Sequence, residues 1–260
     1  MHSRQPMPGV KDMLAVSSGK GGVGKSTIAT NLAVVLARRG LRVGLMDADI
    51  YGPNIPGMLG LGVRPALAGD GQTLVPSEAH GLKAISMGQL IERGAPVIWR
   101  GPMLAKMVTQ FLFGVAWGEL DLMVLDLPPG TGDVQITLTQ TAPLSGALIV
   151  TTPSDIALED VRRGAAMFRQ TEVPILGLVE NMSRFVCHRC GHSSAIFGEG
   201  GGARTAARLG IPLLASVPLD GRLCRASDTG TSLVDEAPDS PAVHALGALA
   251  DQVLARLPHA

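Results

Sequence analysis

Two lysines lie within one glycine-rich stretch, GKGGVGKS at residues 19–26. Gly19, Gly24, Lys25 and Ser26 match the pattern G-x-x-x-x-G-K-S/T, between a strand-like apolar run and a segment with helical spacing. Glycines let backbone N–H groups turn inward around a phosphate, the second lysine reaches the β and γ oxygens, and the serine hydroxyl can ligate Mg²⁺. The stretch therefore predicts a nucleotide-phosphate cradle. The predicted residues are Gly19, Lys20, Gly21, Gly22, Val23, Gly24, Lys25, Ser26 and Thr27.

Lys20 is the additional lysine, and it begins outside the phosphate cradle of its own chain. Its side chain could extend toward phosphates held by a facing subunit, where it would neutralise charge that develops in the transition state, as an arginine finger does. The alternative interpretation is a solvated surface lysine.

Three aspartates follow apolar runs and could serve the same site. Asp47 and Asp49 lie in DADIYGPN, and Asp126 ends LDLMVLD. Carboxyl ends of parallel strands meet at the sheet edge where ligands of such folds bind. We expect Asp126 to be the Walker B carboxylate, with a strand-end turn residue as the alternative. Gly130 and Gly132 in the following LPPGTGD would permit a mobile switch loop.

Cys187 and Cys190 form the sequence C-H-R-C in a polar loop. Two thiolates at this spacing can bind one metal from one side of a turn, but zinc and iron-sulfur clusters generally take four ligands. The chain has no second C-x-x-C, so a symmetric dimer would have to supply the missing pair. A structural zinc site completed by His188 or His192 and a redox pair remain alternatives. Haem attachment is excluded because residue 191 is glycine.

Cys224, in GRLCRASD, is expected on a helix as a small buried residue.

Composition limits the classes of partner. Lys+Arg and Asp+Glu are both 22, so no net charge attracts nucleic acid or anionic lipid. No apolar run approaches the roughly 20 residues that cross a bilayer, and the first residues lack the apolar core of a secretory signal. We therefore expect a cytoplasmic protein without nucleic-acid or membrane partners.

The elements that must position these residues are apolar runs with helical stretches between them. Continuous rather than alternating hydrophobicity is typical of strands covered on both faces, so we predict an α/β fold with a mostly parallel sheet flanked by helices. The predicted strands cover residues 13–18, 41–47, 120–126, 146–152, 174–181 and 212–218. We expect a short extension at 1–12 and a single P-loop domain at 13–260, which contains the C-x-x-C loop at about 184–202.

The pattern K-G-G-x-G-K-S/T resembles the deviant Walker A sequence of MinD, ParA, the nitrogenase iron protein and the Mrp/ApbC proteins. Segments DADIYGPNIP, LDLPPGTGD, ENMSRFVCHRCGHSSAIFGEGGG and VPLD extend the resemblance to the Mrp/ApbC group over nearly the whole chain. This group comprises cytosolic P-loop ATPases that assemble or carry [4Fe-4S] clusters for apo iron-sulfur proteins. Many of its members have a further small N-terminal domain, whereas only about a dozen residues precede the first predicted strand.

The resemblance implies roles for particular residues. ATP with Mg²⁺ would drive homodimerisation, and Lys20 would act across the dimer. Asp49 would orient the attacking water or hold Mg²⁺, while Asp47 would fix the loop. Asn181 would hydrogen-bond adenine, with Pro218 and Asp220 of VPLD on the other wall of its pocket; a strand-end turn residue is the alternative for Asn181.

A positioning ATPase of the MinD or ParA kind is a rival function. It predicts a basic amphipathic tail, but the C-terminal segment has one basic residue, Arg256, among an apolar stripe that is typical of a helix packed on the core. The stripe comprises Val243, Leu246, Leu249, Val253 and Leu257.

Overall fold

The computed structural model describes residues 5–50, 52–62, 64–90, 101–154, 158–187 and 189–259. The strands are β1 (Val10–Ser18), β2 (Val43–Asp47), β3 (Ala66–Leu67), β4 (Leu74–Val75), β5 (Ser77–Ala79), β6 (Leu82–Ser86), β7 (Leu120–Asp126), β8 (Gly146–Thr151), β9 (Ile175–Val186), β10 (Ser193–Ser194) and β11 (Leu213–Leu219). The helices are α1 (Lys25–Arg38), α2 (Ile55–Met58), α3 (Gly101–Phe113), α4 (Asp133–Thr141), α5 (Leu158–Gln170), α6 (Gly201–Leu209), α7 (Gly221–Thr229), α8 (Leu233–Glu236) and α9 (Pro241–Leu254).

The main sheet contains nine strands within the described ranges, in the order β10-β9-β8-β1-β7-β2-β6-β5, and β11 also pairs with β9. The pairings among β1, β2, β6, β7, β8, β9 and β11 are parallel, whereas β5 and β10 pair antiparallel with their neighbours. A separate antiparallel pair joins β3 and β4. The predicted mostly parallel α/β sheet is therefore confirmed.

All six predicted strands are present, with shifted bounds. β1 begins at Val10 rather than residue 13, and β9 continues past Asn181 to Val186, next to the cysteine pair. The strand β6 was not predicted, although it extends the parallel part of the sheet beyond β2.

Hydrophobic cores cover both faces of the sheet, which explains the continuous apolar runs. Leu14 and Val16 of β1 join the core formed with α1, α7 and α9, whereas Met13 and Ala15 join the core formed with α3, α4, α5 and α6. Successive residues of a strand point to opposite faces, so an apolar residue is required at each of these positions.

The C-terminal helix α9 belongs to the first core. All five residues of the predicted apolar stripe are buried there, as expected for a helix packed on the core. None of the helices in the described part of the chain has the length and apolar character that crossing a bilayer requires.

Candidate nucleotide and cysteine sites

The glycine-rich stretch connects β1 to α1 at the carboxyl edge of the parallel strands. It borders a cavity of about 440 Å³, which Asp49, Pro129 and Met182 also line. The predicted cradle residues that line it are Lys20, Gly21, Gly22, Gly24, Lys25, Ser26 and Thr27. The first turn of α1 opens toward this space, and the N-terminus of a helix favours anions. The two other predicted cradle residues do not line the cavity: Val23 is buried, and the half-buried Gly19 packs against the backbone of Asp160 and Val161.

Lys25 lies between two carboxylates at the base of the cavity. Its Nζ donates to Asp126 Oδ1 at 2.6 Å and lies 3.6 Å from Asp49 Oδ2. The Ser26 hydroxyl donates to Asp126 Oδ2 at 2.6 Å. Burial raises the pKa of Asp126, whereas the donors Lys25 and Ser26 oppose that rise. The structure thus brings together four of the predicted residues, from three separate segments of the chain.

The oxygens of this cluster suit a hard divalent cation. Mg²⁺ prefers carboxylate and hydroxyl oxygens, and Ser26, Asp49 and Asp126 present both kinds. In a magnesium site these residues would hold the cation beside the phosphates, where it would neutralise charge on the β and γ oxygens.

Asp47 organises the loop that presents Asp49. Its Oδ1 accepts the backbone N–H of Asp49 at 3.0 Å, and its Oδ2 accepts the Ser86 hydroxyl at 2.7 Å. Burial, reinforced by the nearby charge of Asp126, raises the pKa of Asp47 to about 8. The Ser86 backbone N–H donates to Gln89 Oε1, and the Gln89 Nε2 donates to the Gly62 carbonyl. A buried polar chain therefore connects this loop to β6.

Lys20 is half-buried beside the cavity of its own chain. Its carbonyl accepts the Ser18 hydroxyl at 2.9 Å, which fixes the backbone where the loop leaves β1. The predicted action of Lys20 across a dimer remains a prediction.

Asn181 is buried at the back of the phosphate loop, and its Nδ2 donates to the Val23 carbonyl at 2.9 Å. Gly24 caps the start of α1 with φ 79°, and a Cβ there would lie 2.2 Å from the same Nδ2. A left-handed backbone and this close approach both require glycine at position 24. The observed contact makes Asn181 a support for the loop, and its predicted adenine contact remains a prediction.

The other predicted adenine-wall residues lie on the neighbouring strand β11 and directly after it. Pro218 is in β11, where Val217 pairs with Asn181. Asp220 caps α7 by accepting the Arg222 backbone N–H at 2.9 Å, and it also pairs with the Arg222 guanidinium.

The cysteine pair occupies the turn between β9 and β10. The Cys187 N–H donates to the His192 carbonyl, and the Gly191 N–H donates to the Cys187 carbonyl. Backbone N–H groups of Arg189 and Cys190 face the Cys187 sulfur and lower the pKa of its thiol, which favours the thiolate that binds metals. Cys187 is half-buried and Cys190 is exposed. Both lie outside the nucleotide cavity.

The ligand set of this turn is incomplete within one chain. Over the described ranges, no three histidine, cysteine or acidic side chains come close enough to hold a metal ion. His188, one predicted zinc ligand, lies outside the described residues.

The prediction for Cys224 is wrong in one respect: it lies on helix α7, as expected, but it is exposed rather than buried.

Sequence reasoning did not single out Ser86 or Glu180. Ser86 is the last residue of β6, the strand that was not predicted. Glu180 is a charged residue inside an otherwise apolar run, a signal that could have identified it.

A second cavity, of about 430 Å³, lies around Arg42 and Lys83 near the starts of β2, β6 and β7. The Arg42 guanidinium already pairs with Asp121, and the Lys83 ammonium already donates to the Trp117 carbonyl. None of the residues that line this second cavity belongs to a helix, whereas the nucleotide cavity has the anion-binding N-terminus of α1, so the nucleotide cavity is the better candidate for phosphate.

A parallel sheet with a glycine loop, a buried lysine and a strand-end aspartate at its carboxyl edge defines a P-loop nucleoside triphosphatase fold. Comparison with known families agrees: residues 9–254 match a family model described as ParA, NUBPL iron-transfer P-loop NTPase. The chain belongs to this family, the iron-sulfur cluster carrier P-loop NTPases, which confirms the resemblance inferred from the sequence.

Relatives cover most of the chain. An iron-sulfur cluster carrier protein of Aquifex aeolicus is 48% identical over 96% of this chain and 69% of its own length. An Arabidopsis thaliana iron-sulfur protein required for mitochondrial NADH dehydrogenase is 49% identical over 95% of this chain and 79% of its own length.

Among solved structures, a nucleotide-binding protein from Archaeoglobus fulgidus in complex with ADP is similar, with a TM-score of 0.76 and 39% identity over 86% of this chain and 88% of that protein. The cell-division ATPase MinD of Pyrococcus furiosus shares the fold, with a TM-score of 0.69 and 22% identity over 94% and 98% of the two chains.

Proposed function

We propose that this chain is a cytoplasmic ATPase that carries a [4Fe-4S] cluster between two copies of itself and delivers it to apo iron-sulfur proteins. The single observation that carries the proposal is the cysteine turn, which presents two thiols without further ligands among the described residues. Membership of the iron-sulfur cluster carrier family supports an iron-sulfur cluster as the cargo. We place the activity in one domain, residues 13–260, and assign it no nucleic-acid or membrane partner.

The nucleotide half of the proposal rests on the buried cluster of Lys25, Ser26, Asp49 and Asp126. Lys25 would contact the β and γ oxygens of ATP, and Ser26 and Asp126, which now bond to each other, would hold Mg²⁺. Asp49, held by the Asp47 side chain, would orient the attacking water. An ATP complex would give Lys25 an anionic partner other than the carboxylates that now surround it.

The cluster half rests on the chemistry of thiolates. Four sulfurs are needed around a [4Fe-4S] cluster, and a two-fold axis beside the turn would bring Cys187 and Cys190 of two copies together. The exposed position of Cys190 leaves room for such an approach. The cluster is cargo here, so no redox role is needed.

Nucleotide and cargo would be coupled through the arrangement of the two copies. Lys20 of each copy would reach the triphosphate of the other, so ATP would favour one dimer arrangement over another. Only such a difference in affinity can make nucleotide state control a cluster at the interface.

Anaerobic reconstitution with iron and sulfide tests the proposal. Wild type should bind iron and acid-labile sulfide in a 1:1 ratio, whereas Cys187→Ala and Cys190→Ala should lose the cluster while keeping ATP hydrolysis. Cys224→Ala, which removes the other exposed thiol, is the matched control and should reconstitute fully.

Incubation of the reconstituted wild type with an apo iron-sulfur enzyme should then restore the activity of that enzyme. Zinc that resists replacement during reconstitution would support the structural-zinc alternative and contradict cluster carriage. Retention of the cluster by Cys187→Ala would also contradict the proposal.

A further inference from the structure

Glu180 is a buried carboxylate for which the proposed chemistry has no use. It lies in β9 and is 5% exposed, although a buried charge needs partners to be tolerated. Its Oε1 accepts the backbone N–H of Gly202 at 2.7 Å, and its Oε2 accepts the Ser216 hydroxyl at 3.1 Å. Gly202 is in the first turn of α6, where a negative charge is also favoured by the helix dipole.

The Gly202 contact closes a loop that contains the cysteine pair. The chain leaves β9 at Val186, passes through the cysteine turn and β10, and returns to the same strand at Glu180 through Gly202. Packing reinforces the return, because a Cβ at Gly201 would lie 1.9 Å from the Pro153 carbonyl and one at Gly202 would lie 2.7 Å from the Glu180 Cβ. Both ends of the segment 187–202 are therefore held by β9.

The next residue in β9 holds the phosphate loop. Asn181 donates to the Val23 carbonyl at 2.9 Å, and Met182, with φ 56°, lines the nucleotide cavity. Neighbouring residues of a strand point to opposite faces, so Glu180 reaches α6 on one face while Asn181 reaches the phosphate loop on the other. Two consecutive residues thus fix both segments.

We propose that Glu180 is a positioning residue for the cysteine turn, and that with Asn181 it makes the segment 187–202 and the phosphate loop open and close as one unit. A ligand that binds only the closed phosphate loop stabilises every part of the unit that opens with it. Nucleotide binding therefore stabilises the closed state of the cysteine turn, even in a chain without a cluster. This inference rests on the proposed nucleotide site but not on the proposed cargo.

Hydrogen–deuterium exchange of the cluster-free chain tests the inference, with Mg²⁺ and a non-hydrolysable ATP analogue as the probe. In wild type the analogue should slow amide exchange at residues 19–26 and also, by about tenfold, at residues 187–202. In Glu180→Ala the analogue should still slow exchange at 19–26, while its effect at 187–202 falls below about twofold.

Two variants separate this role from general destabilisation. Glu180→Gln keeps an oxygen that accepts the Gly202 N–H, so it should retain the response at 187–202. Ser216→Ala removes only the other donor to Glu180 and should also retain it. A wild-type response confined to 19–26, or a full response at 187–202 in Glu180→Ala, would overturn the inference. An analogue that slows exchange at neither segment in wild type would instead refute the nucleotide site, and the inference with it.

Discussion

Gly24→Ala tests the contact between the phosphate loop and β9. Gly24 has φ 79°, and the added Cβ would lie 2.2 Å from Asn181 Nδ2, so the buried amide must move. The left-handed backbone costs about 1 kcal/mol for alanine. Displacing Asn181 leaves the Val23 carbonyl without its donor, which adds about 2 kcal/mol. We expect Gly24→Ala to lower the free energy of unfolding by about 3 kcal/mol.

Gly22 provides a matched control, because it has the same φ of 79° but nothing within 4 Å of the position of a Cβ. Gly22→Ala should therefore cost only the backbone term, about 1 kcal/mol. Urea unfolding of the nucleotide-free variants measures both values. In an Asn181→Ala background, where no amide has to be displaced, the additional cost of Gly24→Ala should also fall to about 1 kcal/mol.

Equal losses in Gly22→Ala and Gly24→Ala would refute this reasoning. The same conclusion would follow if the cost of Gly24→Ala were unchanged by removal of Asn181, because the two residues would then act independently.

Other predictions concern two ionisable residues of the nucleotide site. Lys20→Ala should retain nucleotide binding by calorimetry but lose ATP hydrolysis measured by phosphate release; unchanged turnover would indicate a surface lysine. Burial raises the pKa of Asp47 from 3.8 to about 8, so between these values the folded chain holds a proton that the unfolded chain has released. Wild-type stability should therefore fall as pH rises from about 5 to about 8, by up to about 1.4 kcal/mol per unit. Asp47→Asn should flatten this dependence in urea unfolding, and an equally steep slope in the variant would contradict the assignment.

The sheet could be largely predicted because its central strands are buried on both faces and read as unbroken apolar runs. β6 was missed because Lys83 interrupts its short run LKAIS. In the folded chain the Lys83 Nζ donates to the Trp117 carbonyl at 2.7 Å, so a charged residue is accommodated in this strand. That partner lies far away in the sequence and cannot be inferred from the run itself.

The candidate site likewise contains residues that the sequence predicts and residues whose roles it does not predict. The phosphate loop could be predicted because its residues are contiguous and their spacing carries the chemistry. The charge of Glu180 within an apolar run could have drawn attention to it, but the roles of Ser86 and Glu180 could not be assigned, because each acts through a partner on another element, Asp47 and Gly202 respectively. The exposure of Cys224 was also mispredicted, because it depends on which face of α7 packs against the core.

The mass of the reconstituted protein under native conditions tests the central claim most directly. We predict a species of two chains that contains four iron and four sulfide ions, and we expect Cys187→Ala to lose these ions. A full cluster on a single chain, or zinc as the metal bound to single chains, would contradict the account.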